Sequence, residues 1–162
     1  MEMQVMAEKT VLIMRHAEKT DDPQDQSLAK LGKVRAKRLA KFIPEKFGVP
    51  DFIFASAISR HSARPYETMV PLSKKTGVPI DATVADNDYG VLAKTILEKR
   101  RYGNALTIVC WHHGQIPSML YYFGAPRDTY PDHWDRGVFN LIFRLRFTGS
   151  QIQSVKQFEQ PF

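Results

Sequence analysis

The chain has 162 residues, of which 43% are apolar, 25% charged and 11% aromatic. That length and balance fit a single domain, 1–162, able to bury a core, and exclude a disordered or collagen-like chain. Twenty-three Lys and Arg against seventeen Asp and Glu leave a net charge of +6, a surplus that favours anionic ligands.

In chain order, Thr10 to Met14 is a short unbroken apolar run, the mark of a strand buried on both faces. A polar loop spans Lys19 to Gln26. From Ser27, apolar residues Leu28, Leu31, Val34, Leu39 and Phe42 recur at helical spacing among Lys and Arg, predicting an amphipathic helix that ends before Pro44. Asp51 to Ser56 is a second strand. Arg64-Pro65 opens a second helix that closes at Gly77, with Pro71 inside it. Val78 to Thr83 is a short edge strand, and Tyr89 to Arg101 a third helix closed by Gly103. Ala105 to Trp111 is a third buried strand. Ile116 to Phe123 is a short helix with Pro117 in its first turn and Gly124 as its cap. After a loop from Ala125 to Arg136, Val138 to Phe147 and Gln151 to Phe158 form a terminal hairpin.

Strands alternating with helices, then a hairpin, describe an α/β domain. Its helices flank a mostly parallel sheet with an antiparallel edge. Ligands of such sheets bind beyond the carboxyl ends of the strands. There the sequence places Arg15-His16, then Arg60 and Arg64, then His112-His113. Arginine offers a fork of donors suited to phosphate oxygens. A neutral imidazole can attack phosphorus while a second, charged one stabilises the equatorial oxygens.

Met14-Arg15-His16-Ala17-Glu18-Lys19 resembles the opening motif of the histidine phosphatase superfamily, the group that includes phosphoglycerate mutases. Leu28, Gly32 and Arg35-Ala36 resemble its first helix. Arg64-Pro65-Tyr66-Glu67-Thr68 is similar to its second-arginine segment. Trp111-His112-His113 followed by Ile116-Pro117 is similar to the second-histidine motif of a small bacterial branch that reads W-x-H-x-x-I-P. The resemblance implies a three-layer α/β/α sandwich and a metal-independent, cofactor-free phosphatase. In it His16 is the transiently phosphorylated nucleophile, and Arg15, Arg64 and His113 complete the phosphate pocket. His113 is preferred to His112 because it precedes Gly114. Arg64 is preferred to Arg60 because Pro65 starts the helix beside it. The proton donor has no clear motif, and Asp86, Asp88, Glu98 and His112 remain candidates. That gap motivates one alternative, a catalytically weak phosphate-binding or scaffold protein, and argues against the other, a mutase-type phosphotransferase. Glu18 either orients the site or is a surface charge.

The expected substrate is a phosphorylated small molecule or a phosphoprotein. Nucleic acid is not an expected partner, because no run of five or six like charges and no interleaved surface aromatics occur. Nor is a membrane, since every apolar run falls far short of the roughly 20 residues a spanning helix needs. The first ten residues lack the apolar centre of a signal peptide. The single cysteine, Cys110, excludes an intramolecular disulfide and a cysteine-built metal site. A cytoplasmic protein is the expectation.

Overall fold

The computed structural model describes residues 6–162, so half of the polar opening segment lies outside the described residues. Six strands form one sheet in the order β3-β2-β4-β1-β5-β6. They are β1 (Glu8–Arg15), β2 (Phe52–Ala55), β3 (Ile80–Asp81), β4 (Leu106–Trp111), β5 (Leu141–Thr148) and β6 (Gln151–Glu159). The first four run parallel, while β5 pairs antiparallel with both β1 and β6. The helices are α1 (Lys30–Lys46), α2 (Arg64–Thr76), α3 (Tyr89–Glu98) and α4 (Ile116–Tyr122). No helix among the described residues is long and apolar enough to cross a membrane.

The apolar run in β1 explains the three layers. Val11 and Ile13 point to one face and pack with Val109, Trp111 and the apolar sides of α3 and α4. Leu12 and Met14 point to the other and pack with Ile108, Cys110 and the apolar sides of α1 and α2. All four β1 side chains are fully buried, and each such burial contributes about 1.5–3 kcal/mol. A continuous hydrophobic run is what a strand covered on both faces requires.

The edge strand expected over Val78 to Thr83 is only Ile80–Asp81, the hairpin expected from Val138 begins at Leu141, and α1 and α3 also depart from expectation. Helix α1 carries Pro44 within its last turn and continues to Lys46. One lost backbone donor there is outweighed by the packing of the fully buried Ile43. Its buried stripe is Gly32, Ala36, Leu39, Ala40 and Ile43, whereas Leu31 and Val34 are exposed. Small residues mark this face because the helix lies against the segment following β1. The third helix stops at Glu98, where Lys99 turns extended, and a separate 3-10 turn (Arg100–Tyr102) follows.

Gly32 shows how closely α1 approaches. A Cβ at this position would collide with the backbone carbonyl of Glu18, two residues beyond His16. Gly32→Ala is expected to destabilise the protein by about 2 kcal/mol through overpacking, read as a lower urea midpoint. An unchanged midpoint would mean that this contact is loose.

Candidate active site

The carboxyl ends of β1 and β4 build the centre of the site. Their parallel ladder pairs Met14 with Cys110 and Arg15 with Trp111. The next residue on each strand is a histidine. The His16 amide donates to the Trp111 carbonyl at 3.0 Å, and the rings of His16 and His112 meet edge to face, 5.2 Å apart at 71°. The register thus sets His112 beside His16. The sequence preference for His113 rests on its neighbour Gly114. His113 lines the same cleft from the following position.

His16 is almost wholly buried, at 2% exposure. Its Nδ1 lies 2.7 Å from the Ala17 carbonyl oxygen. A carbonyl oxygen only accepts, so Nδ1 carries the ring proton and Nε2 keeps its lone pair. Burial first, then the charges of His112, Arg15 and Arg64, push the His16 pKa down to about 2 despite that hydrogen bond. The ring is neutral at any working pH.

Arg15, 1% exposed, is gripped from behind. Its Nη1 donates to the carbonyls of Arg136 and Val138, each at 2.8 Å, and Phe139 stacks 3.7 Å from the guanidinium carbon. The turn that supplies those carbonyls is itself pinned. The buried Trp134 donates its indole N–H to Val138 O at 2.9 Å, and Gly137 N donates to the Asp135 carboxylate at 2.8 Å. Burial lowers the Arg15 pKa to about 10, leaving it charged.

Arg64 stands at the start of α2 and lines the cleft. Its Nη1 donates to the Asp25 carbonyl at 2.8 Å. Thr68, one turn on, accepts from the Ala17 amide at 3.0 Å and donates back to Arg64 O at 2.7 Å. That hydroxyl ties α2 directly to the segment carrying His16. Arg60 is exposed and does not line the cleft.

Among the carboxylate candidates for the acid, Asp86 alone lines the cleft, which it shares with His112. The fully buried Trp111 donates its indole N–H to Asp86 O at 2.9 Å, which holds this loop over the end of β4. Burial raises the Asp86 carboxyl to about 6. Asp88 and Glu98 are exposed. Glu18 has a role that neither sequence reading offered: it forms a two-pronged ion pair with Arg35 at 2.8 and 3.1 Å, and Arg35 also donates to Gln160. It ties the segment after His16 to α1 and the carboxyl-terminal tail.

The resulting cleft has a volume of about 560 Å³. Three buried polar atoms that find no protein partner belong to its lining: Arg15 Nε, Arg64 Nε and Asp86 Oδ1. Buried donors of this kind call for an acceptor. Two arginines beside a neutral imidazole suit a tetrahedral oxyanion. Cys110 lies below in the core, its thiol pKa raised by burial. No three His, Cys, Asp or Glu side chains among the described residues group together as metal ligands.

The same architecture occurs in solved structures. The protein histidine phosphatase SixA, in complex with tungstate, matches with a TM-score of 0.72 at 16% identity, over 93% of this chain and 96% of that one. The chain has the fold of the histidine phosphatases. Mycobacterial glucosyl-3-phosphoglycerate phosphatase, solved with inorganic phosphate, matches at 0.63 and 16% identity, over 93% and 95% of the two chains. Phosphoglycerate mutase from Plasmodium falciparum matches at 0.62 and 15%, over 96% and 91%. No protein-family model and no curated protein sequence matches the chain.

The three cleft histidines make stability depend on pH. Unfolded, each has a pKa near 6.5; folded, burial and nearby cations lower His16 to about 2 and His112 and His113 to about 4. Below 6.5 the unfolded chain binds protons that the folded one refuses, so stability falls as pH drops. The expected Tm declines between pH ~7 and pH ~4.5, and inorganic phosphate, by raising the imidazole pKa values, restores part of it. A flat Tm profile with and without phosphate would contradict this charge arrangement.

Proposed function

We propose that this protein is a phosphatase that hydrolyses phosphomonoesters through a phosphohistidine on His16. The observation that carries the proposal is the state of that ring. Its Nδ1 is committed to the Ala17 carbonyl and its Nε2 lone pair is free, beside two arginines that have donors to spare. The tetrahedral oxyanions named with two proteins of this fold, tungstate and phosphate, fit the same chemistry.

In this reading, Arg15 and Arg64 hold the phosphoryl oxygens and Nε2 of His16 attacks phosphorus in line with the leaving oxygen. The P–N bond forms as the P–O bond breaks. Asp86, protonated below about pH 6, delivers its proton to the departing oxygen. Water then attacks the phosphohistidine, the Asp86 carboxylate takes its proton, and the P–N bond breaks to release inorganic phosphate. His112, in contact with His16, takes up a proton when the dianion arrives and donates to an equatorial oxygen. His113, the partner expected from the sequence, is assigned no step in this cycle. The buried carboxyl of Asp86 supports an enzyme over a bare phosphate binder, since the missing acid was the ground for the weaker reading.

Two measurements test the assignment. Rapid acid quench with a radiolabelled aryl phosphate should destroy the label on protein, whereas alkaline quench should retain it; His16→Ala should show neither label nor turnover. Label that survives acid would point to another nucleophile. Asp86→Asn should slow alkyl phosphates by about 10²–10⁴-fold while changing aryl phosphates, which have better leaving groups, much less. For alkyl esters the wild-type rate should fall as pH rises past about 6, because the donor proton is lost. A rate that instead rises through that range would remove Asp86 as the acid.

A further inference from the structure

The opposite end of the sheet carries a second cluster of charge. Arg144 and Arg146 stand on β5 across from Leu12 and Thr10 of β1, on the face that α1 and α2 cover. Helix α1 ends at Lys46, and beside its end a cavity of about 510 Å³ opens among Thr10, Lys46, Phe47, Arg144 and Arg146. The length of strand between Thr10 and His16 sets this cavity about 20 Å from the histidine cleft.

Lys156 on β6 lies directly across from Arg144, and like charges so placed destabilise a ladder. The guanidinium carbon of Arg144 and Nζ of Lys156 each lie 5.0 Å from the centroid of the Phe158 ring, and Lys46 Nζ lies 5.6 Å from it. Phe158 packs edge to face on Phe47 in the cavity wall, with 5.1 Å between centroids. An aromatic ring attracts each exposed cation by only about 0.5–1 kcal/mol, and it does nothing for their mutual repulsion. No carboxylate is paired with them, for Glu18–Arg35 is the only salt bridge among the described residues. Two acids share the cavity wall: the Leu106 amide donates to the Asp51 carboxylate at 2.8 Å, and Glu8 stands outside ion-pair distance of the cations. Arg144 Nε is buried without a partner, and a buried charged donor calls for an acceptor.

We infer that this cavity is a binding site for a small polyphosphate, held by Lys46, Arg144 and Arg146 at the far end of the sheet from the histidine cleft. Guanidinium forks suit phosphate oxygens, and a chain of phosphates supplies negative charge to several cations at once. The volume is that of a small-molecule site. A free polyphosphate and the tail of a nucleotide share this chemistry. The site stands whether or not the histidine cleft hydrolyses phosphomonoesters.

The test is calorimetric titration with tripolyphosphate and with ATP, both without divalent metal, at low salt. Wild-type protein is compared with Arg144→Met, with Arg146→Gln and with the cleft variant Arg64→Met. Tripolyphosphate is expected to bind wild type and to keep one site in Arg64→Met, with affinity falling as salt rises. Arg144→Met should weaken that site by about tenfold or more, the loss of a charge-assisted hydrogen bond. Arg146→Gln alters an exposed side chain, so it should weaken binding without threatening the fold. Tighter binding of ATP than of tripolyphosphate would assign the site to a nucleotide, and the reverse to a free polyphosphate. Affinity unchanged in both site variants, or loss of all binding in Arg64→Met, would place the anion in the cleft and overturn the site. No binding by wild type would overturn it too, as would tighter binding of a single-stranded oligonucleotide, which would mark a nucleic-acid surface instead.

Discussion

The site depends on the parallel ladder between β1 and β4. Six consecutive pairs, from Thr10 with Leu106 to Arg15 with Trp111, fix which residues stand side by side when the two strands end. A slip of one residue would exchange the faces of β1, sending Val11 and Ile13 into the α1–α2 layer and Leu12 and Met14 into the other. Both cores oppose that slip, because all four side chains are fully buried among partners of matching shape. The geometry at the strand ends is therefore held by apolar packing well below it. His16 meets His112, and Trp111 reaches the Asp86 loop, because the hydrophobic layers leave the ladder one register. The position of the side chains at the strand ends is a consequence of the packed layers beneath them.

The electrostatics of the cleft follow from what is kept out of it. Carboxylates near the two arginines are turned to other tasks. Glu18, only two residues from His16, is drawn away by Arg35, which is itself held by Gln160, and Asp25 meets Arg64 through its backbone carbonyl. A carboxylate bonded to Arg15 or Arg64 would compete with any oxyanion for the same donors. Neutral carbonyls orient the guanidinium groups without neutralising them. The cost is seen in the lowered pKa values of His16, His112 and His113, set first by burial and then by repulsion from the nearby charges. That repulsion is a reserve of binding energy for an anion, because an arriving dianion relieves it and permits the imidazoles beside it to charge.

Much of this was legible in the sequence where the signal is local. The unbroken apolar runs identified the central strands, Pro65 and Gly77 bounded α2, and Arg15, His16 and Arg64 fell at strand or helix ends where residue type and position agreed. Legibility failed where the deciding contact spans the chain. Helical periodicity counted Leu31 and Val34 as interior, yet the face pressed against the Glu18 carbonyl admits only small residues such as Gly32. That the His112 ring meets the His16 ring follows from the β1–β4 register, which no stretch of β4 contains. Asp86 could not be separated from Asp88 because its distinction is a hydrogen bond from Trp111, 25 positions away. The grip on Arg15 comes from carbonyls 121 and 123 positions along the chain. Backbone carbonyls leave no mark in a sequence.

Within one short turn, backbone and side chains therefore do different things. Residues 136 to 139 hold Arg15 through the carbonyls of Arg136 and Val138 and the ring of Phe139, and Trp134 stiffens the turn from inside. The side chain of Arg136 makes none of these contacts, and its charge acts on His113. Backbone atoms orient the buried guanidinium, while exposed side chains define the charge at the surface of this turn. Substitutions at the exposed positions can therefore change the charge of this turn without moving the Arg15 guanidinium that its carbonyls hold. A buried, backbone-held centre with an exposed, side-chain rim is a physical basis for proteins of one fold acting on different phosphorylated molecules.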